Sequence, residues 1–582
     1  MSAAPRVRLL AAFAAAAALA ACGGGGSPGS AAPTPPPASA DGATLSVTLG
    51  GGASPGVDHL WVTVSGLALH ADPDKVYGDG DPGWVVLPLP TPVTVDLAAP
   101  GLSQGQSIAL LKTPVRQLGT YGQLRLLVLP ADTGSLARSA QDAGLAWNDQ
   151  VQVTDGAGTR LAPLELATLT GLRTTTAFTL SADTTTPVGI EWGAHASLLR
   201  RASSSGGADR FMLRDELALY NQQLLTALGG DTLQIQGNLF DAIAGRLATA
   251  QFCTGAATAG CIHDVVASAT SLSADGRFHR PVRSVNVGAD GSFVLYPLPT
   301  DTIYDVVIHG ANMRTMVVRN VFVDPTGLLE PFPSSLGSTA TPMVPVLDTG
   351  GTTLAVPAAL APSASRVVVG FTLPGSGTAA GGGDLPYVLD FAAADPATGR
   401  VRDPIALPGG PVLDAVLPTG APSLGTVPAF TPVTPAEGLG GFTAWTEGTL
   451  ADAASDTLVL APGTASLVAP APKRRAGFID GTLQVTLAGA SSSGADRAEL
   501  VVANDGGPVA IVDATAQMGS HAPIAVTLPA GRAAAAPGAA VYGLALRTWK
   551  SADEVGSARW TRLAAPVSLQ DSAAATATLS LP

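Results

Sequence analysis

A chain of 582 residues is too long for one hydrophobic core and implies about three to five domains. Charged residues make up only 13% of it, against roughly 25% in a typical globular domain, and 31 basic residues face 44 acidic ones. That balance excludes nucleic acid and anionic lipid head groups as partners, because the chain repels both. Its 68 Gly and 47 Pro are scattered as turn residues between runs rich in Ala, Thr, Val and Leu, the composition of β-rich domains.

The chain opens on Arg6 and Arg8, then an apolar run from Leu9 to Ala21. This is the basic and apolar part of a secretory signal, too short to span a bilayer. It ends in Leu19-Ala20-Ala21-Cys22, followed at once by Gly23-Gly24-Gly25-Gly26. The ending resembles the lipobox of bacterial lipoproteins, and the resemblance implies cleavage before Cys22 and acylation (palmitate among the chains) of that cysteine. Gly23 stands where an aspartate holds such proteins at the inner membrane, so the resemblance implies an outer-membrane anchor. Several buried acyl chains anchor durably, at about 0.8 kcal/mol per CH2. Loss of residues 1–21 removes Arg6 and Arg8 from the 31 basic residues, leaving 29 against 44, a net charge of −15. No later stretch offers about 18 uninterrupted apolar residues. Residues 23–43 are Gly/Ser-rich, then Pro-rich, and read as a spacer that stiffens towards polyproline II.

Structure is expected from Leu45-Ser46-Val47-Thr48-Leu49, an alternating strand, followed by Leu60–Leu69 with a bulge at Gly66. An acidic loop from Asp72 to Gly83 returns to Trp84–Leu87, and further strands are expected at Val93–Leu97 and Tyr121–Leu129. The order LSVTLGG, VDHLWVTVSGLALH, GWVVLPLPTPVTVDL and LGTYGQLRLLVLP resembles the bacterial lipoprotein family catalogued as domain of unknown function 4382. The likeness covers about residues 44–222, through Phe178–Leu180 and Phe211–Leu213. It implies an envelope-attached β-sandwich and brings no catalytic residue. Its departure is the segment between Leu97 and Leu118, with GLSQGQS, read as a loop. Leu213, Leu217, Tyr220, Leu224 and Leu228 share a helical face, while the family pattern prefers a strand over 211–219; a strand followed by a short helix is expected.

A second unit starts at Leu233–Gly237. In VGADGSFVLYPLPTDTIYDVVIHG, Asp290-Gly291 between alternating runs is a hairpin signal. Residues 232–325 resemble the carboxypeptidase-regulatory-like, transthyretin-like sandwich, which implies a non-catalytic spacer or binding module. Between 329 and 475, strands are expected at Ser365–Val369, Tyr387–Phe391, Pro411–Leu417, Gly441–Thr446 and Thr457–Leu460. Lys473-Arg474-Arg475 reads as a linker. About seven short strands after it suggest a last sandwich. The expectation is an all-β chain of tandem antiparallel sandwiches. Its parts are a signal (1–21), a lipidated tether (22–43), and units 44–228, 229–328, 329–475 and 476–582.

Several residue groups invite chemistry. Cys253 and Cys261 form an even pair in a disulfide-permissive compartment once Cys22 is acylated. A metal site with His263 lacks a fourth ligand and a zinc-ribbon spacing, so a disulfide is expected. Gly101-Leu102-Ser103-Gln104-Gly105 fits a nucleophile elbow literally, but in a β context with no following helix. Gly78-Asp79-Gly80-Asp81-Pro82-Gly83 fits a dinucleotide fingerprint literally, yet sets two aspartates against the pyrophosphate. Asp72, Asp74, Asp79 and Asp81 could gather around calcium, although the spacing misses the EF-hand and reads more simply as a solvated hairpin tip. Trp61, Trp84, Trp147, Trp192, Trp445, Trp549 and Trp560 are platforms for sugar rings or packing residues. No His motif and no local pair of acids marks catalysis. The expectation is a non-enzymatic envelope protein for binding, adhesion or structural display, without a cofactor. It would be held at the membrane through Cys22 and face an envelope protein or glycan. The alternative is an exported carbohydrate-active enzyme or glycan-binding protein with its site between sandwiches.

Overall fold

The computed structural model describes residues 38–582, apart from 204–208, 215–216, 221–239, 256–259, 324–333, 357–358, 361–364, 378–383, 403–404, 421–425, 434–440, 454–457, 461–465, 469–471, 490–493, 534–537 and a few shorter gaps. Cys22, the tether to residue 37, Asp79, the expected helix after residue 220 and the expected strand Leu233–Gly237 lie outside the described residues. Almost all regular structure is strand, as the composition implied. No helix among the described residues is long and apolar enough to cross a membrane.

The first sandwich faces a four-stranded sheet with an eight-stranded one. The four-stranded sheet is built on Ala38–Gly51. That strand runs parallel to Thr185–Trp192 with Val47 opposite Val188, and antiparallel to Ser107–Gln117. Ser107–Gln117 corrects the expectation of a loop there: Lys112 and Pro114 interrupt the apolar alternation, but only Leu110 and Val115 need to reach the core. Trp84–Leu87 and Val93–Leu97 prove to be one strand, Val85–Asp96, on the flank of His59–His70. Pro88 and Pro90 stay exposed on it, which suits a strand paired on one side only. The register slips between Val64 and Gly66, the bulge expected there, and a Cβ on Gly66 would meet the Leu87 carbonyl at 2.9 Å.

In the middle of the chain, one ten-stranded sheet takes strands from both sides of residue 328. His263–Leu272, His279–Asn286, Thr302–Ala311 and Met316–Val323 come before it, and Pro386–Ala393, Arg366–Thr372 and Phe442–Glu447 after it. The halves meet where His279 pairs with Tyr387 and where Met316–Val323 runs parallel to Leu413–Val416. Val306, Ile308 and Val318 face one core, and Val307 and Val317 face another. Covering on both faces explains why these strands read as unbroken apolar runs. The Asp290-Gly291 turn is present, with Gly291 at φ +83°, but it joins no hairpin. Its flanking strands, His279–Asn286 and Ser292–Pro299, belong to different sheets, so the turn is a corner between layers. A Cβ on Gly291 would lie 2.1 Å from the Leu247 carbonyl, so glycine is needed for that closeness as well as for the turn.

The last sandwich packs Phe478–Ala488, Ile524–Gly531 and Ala574–Ser580 against a sheet containing Gly507–Asp513, Arg497–Asn504, Val541–Trp549 and Arg559–Arg562. Its strand Arg497–Asn504 is apolar on both faces. Ala498, Leu500 and Val502 enter its own core, while Val501 and Ala503 point outward to meet the first sandwich. The same period of two places Leu544 and Leu546 inside, and Ala545 and Arg547 at that seam.

Candidate functional site: the junction of three sheets

The seam between the first and last sandwiches is itself a small core. Ala167, Leu199 and Met212 of the first meet Ala393 of the middle sheet and Val501, Ala503, Ile511 and Ala545 of the last. Gly543 allows the approach, since a Cβ there would come within 2.5 Å of the Thr168 hydroxyl. The alternation that turns these apolar residues outward also delivers charges. Glu165 alternates with Leu164 and Leu166, and Arg210 with Phe211; all three apolar neighbours lie in the first core.

Those charges form a closed network. Arg210 donates to Glu165 Oε2 at 2.7 Å and to Glu499 Oε2 at 2.9 Å, and lies 3.4 Å from Glu554. Arg201 donates to Asp395 Oδ1 at 3.0 Å and reaches Glu499 at 3.4 Å. Arg547 donates to Glu554 Oε1 at 3.2 Å, and its Nε lies 3.1 Å from Glu165. The three arginine side chains keep 4%, 4% and 1% of their exposure. Burial alone would push the Glu499 carboxyl up, but Arg210 and Arg201 outweigh it and hold it below the usual range. Around Arg210, Glu165 and Glu499 likewise outweigh burial and raise the guanidinium further. Two more arginine clusters extend the seam. Arg125 and Arg173 meet Asp505 at 3.0 and 2.7 Å, and Arg562 meets Asp132 at 2.7 Å.

Above this network lies a cavity of about 570 Å³ between the first and last sandwiches. Glu165, Arg210 and Arg547 line it, together with Trp147 and Trp560. The other tryptophans are taken up in packing. Trp192 and Trp445 are fully buried, and their indole N–H groups bond to Ser197 and Glu447. Trp549 lies under Arg547, Trp61 stacks on His59, and Trp84 packs against His70 and Tyr77.

A different seam joins the first sandwich to the middle sheet. His195 Nε2 lies 3.2 Å from Asp390 Oδ1, Arg283 pairs with Glu191, and Ser54 and Asn286 bond reciprocally at 3.0 Å. Burial lowers the His309 pKa against the pull of Asp390, and raises that of Glu191 against Arg283. The serines lining the small cavity here, Ser268 and Ser284, share a hydrogen bond at 2.8 Å.

The sequence-derived candidates fall elsewhere. Cys253 and Cys261 are joined in a disulfide with Cα atoms 5.0 Å apart, and His263 turns to Asp264 at 2.9 Å. Ser103 ends a four-residue helical turn, Pro100–Ser103, and is buried, with its hydroxyl directed at the Pro100 carbonyl. In the acidic loop, Asp81 pairs with Lys75 at 2.6 Å and accepts from the Gly83 amide at 2.7 Å; both bonds hold its carboxyl below the usual range. Asp72 accepts from the Asp74 amide, and Asp74 lies 3.8 Å from Arg532. Among the described residues, no three His, Cys, Asp or Glu side chains gather closely enough to hold a metal ion. Sequence reasoning missed the junction. Its one signal was the doubly apolar strands with a lone charge, such as Arg210-Phe211-Met212-Leu213 and Ala498-Glu499-Leu500-Val501-Val502.

Fold and junction together define an all-β protein of packed sandwiches. Within it, residues 43–214 match the family described as Domain of unknown function (DUF4382), as the sequence pattern of the first unit implied. Among solved structures, the chain is similar to the Bacillus anthracis TIE protein, at 9% identity over 92% of this chain and 74% of that one, with a TM-score of 0.14. It is also similar to two B repeat units of the collagen binding protein of Staphylococcus aureus, at 7% identity over 93% and 99%, with a TM-score of 0.11. The Corynebacterium diphtheriae major pilin SpaA matches at 12% identity over 58% and 99%, with a TM-score of 0.10. Scores this low do not establish a shared fold. No curated protein matches the chain.

Proposed function

We propose that this is a lipid-anchored protein of the outer membrane that displays a rigid β-sandwich block for binding or adhesion and carries out no catalysis. The observation that carries this reading is the buried network of Arg201, Arg210 and Arg547 with Glu165, Asp395, Glu499 and Glu554. Linked domains move relative to one another unless a large buried interface stops them. Here the last sandwich is fixed to the first and to the middle sheet, which suits a surface presented at the end of a tether. At the junction cavity Glu165 is held by Arg210 at 2.7 Å with Arg547 3.1 Å away, the arrangement of a structural ion pair. The carboxypeptidase-regulatory-like resemblance of residues 232–325 fits the same role as a spacer or binding module. Anchoring is tested by labelling cells with a palmitate analogue. Label is expected on the wild-type chain and absent from Cys22→Ser; label persisting in the variant would overturn the anchor.

The second reading, a glycan-binding protein or carbohydrate-active enzyme with a site between sandwiches, is favoured by one observation. The cavity between the first and last sandwiches has Trp147 and Trp560 in its wall.

A further inference from the structure

We infer that the cavity between the first and last sandwiches binds a short neutral oligosaccharide. The inference rests on the binding reading above and names its ligand class. At about 570 Å³ the cavity falls inside the roughly 300–1,000 Å³ of small-ligand sites and has room for about two or three pyranose rings. Its lining carries Asp132, Glu165 and Asp209 against Arg210, Arg547 and Arg559, so three negative charges meet three positive ones. An electroneutral lining repays neither a net anion nor a net cation for its desolvation. It does offer charged donors and acceptors, which form the stronger kind of hydrogen bond, to a ligand dense in hydroxyls.

One further observation points the same way. Trp147 is half-buried on the wall and packs on no other ring or guanidinium among the described residues. An indole in a cavity wall suits the C–H face of a sugar ring. Trp560 is more constrained, since Arg562 covers its ring at 5.0 Å, so it shapes the wall where Trp147 offers a face.

The test is calorimetric titration of the full-length chain in detergent with cellotriose, maltotriose, chitotriose and mannotriose, using trigalacturonic acid as the charged comparator. At least one neutral trisaccharide is expected to bind, and the acidic one about tenfold or more weakly than it. Trp147→Ala should weaken that binding about tenfold or more, with the far-ultraviolet circular dichroism unchanged. Trp560→Ala serves as an independent second variant expected to weaken it less. Failure of all four neutral sugars to bind overturns the inference, as does preference for the acidic trimer or binding indifferent to both substitutions. Cleavage of the bound trisaccharide would leave this site standing and overturn the non-enzymatic reading instead.

Discussion

The first sandwich has two seams, and they are built from different chemistry. Towards the last sandwich it presents arginines, whose charge is permanent, with their carboxylates, around a small apolar core. Towards the middle sheet it presents Glu191 to Arg283 and His195 to Asp390, with His309 nearby in the same cavity, so that histidines stand beside the ion pair there. The arginine seam should therefore hold across the physiological range and fail only when a partner is removed, while the histidine seam should respond to acid.

The largest effect is expected at the arginine seam. Arg210→Ala leaves Glu165, Glu499 and Glu554 short of a shared counter-charge in a buried site. A loss of about 3–5 kcal/mol follows, read by urea denaturation. Replacing partners together, as in Arg210→Met with Glu499→Leu, should recover part of that loss, because one of the stranded carboxylates is removed with the arginine. An effect below about 1 kcal/mol for Arg210→Ala would mean that the apolar contacts alone hold the seam.

A smaller loss, about 2–3 kcal/mol, is expected when Cys253 and Cys261 are both replaced by serine. It should appear in the middle sheet and leave both seams of the first sandwich as they were, since distant sites act additively. Thermal melts with and without reductant measure it on the unmodified chain.

The smallest effect is the pH response of the histidine seam. Burial lowers the His309 pKa from its ordinary 6.5, so the unfolded chain binds a proton that the folded one refuses, and stability falls as pH drops below about 6.5. Glu191 has the opposite sign. Its carboxyl is raised from 4.5 by burial despite Arg283, so acid relieves it. Asp390 is held low by His195 and His309 against its burial, and its contribution is lost only in stronger acid. Comparing the wild-type chain with His309→Gln between about pH 7 and pH 5.5 separates the histidine's effect from that of Glu191. A fall in the urea midpoint is expected there, shallower in His309→Gln; His279, also lowered by burial, adds to it, while Asp149, its carboxyl raised by burial, opposes it.

The all-β class was legible because strands buried on one face alternate: Leu483, Val485 and Leu487 of Phe478–Ala488 point inward between exposed or half-buried neighbours. Proline hid what alternation could not show, merging two expected strands into Val85–Asp96 and disguising Ser107–Gln117 as a loop. Asp290-Gly291 announced a turn correctly but not which sheets it joins, because that depends on partners far along the chain. The junction was illegible for the same reason. Arg201 and Glu499 are 298 residues apart, and each alone looks like an ordinary polar position in a strand.

The central claim is that the first and last sandwiches form one body through the Arg210 network. Differential scanning calorimetry of the full-length chain tests it most directly. The two sandwiches are expected to melt in a single transition that splits in Arg210→Ala, with residues 476–582 unfolding first. Separate melting of the last sandwich in the wild-type chain, unmoved by that substitution, would contradict the account.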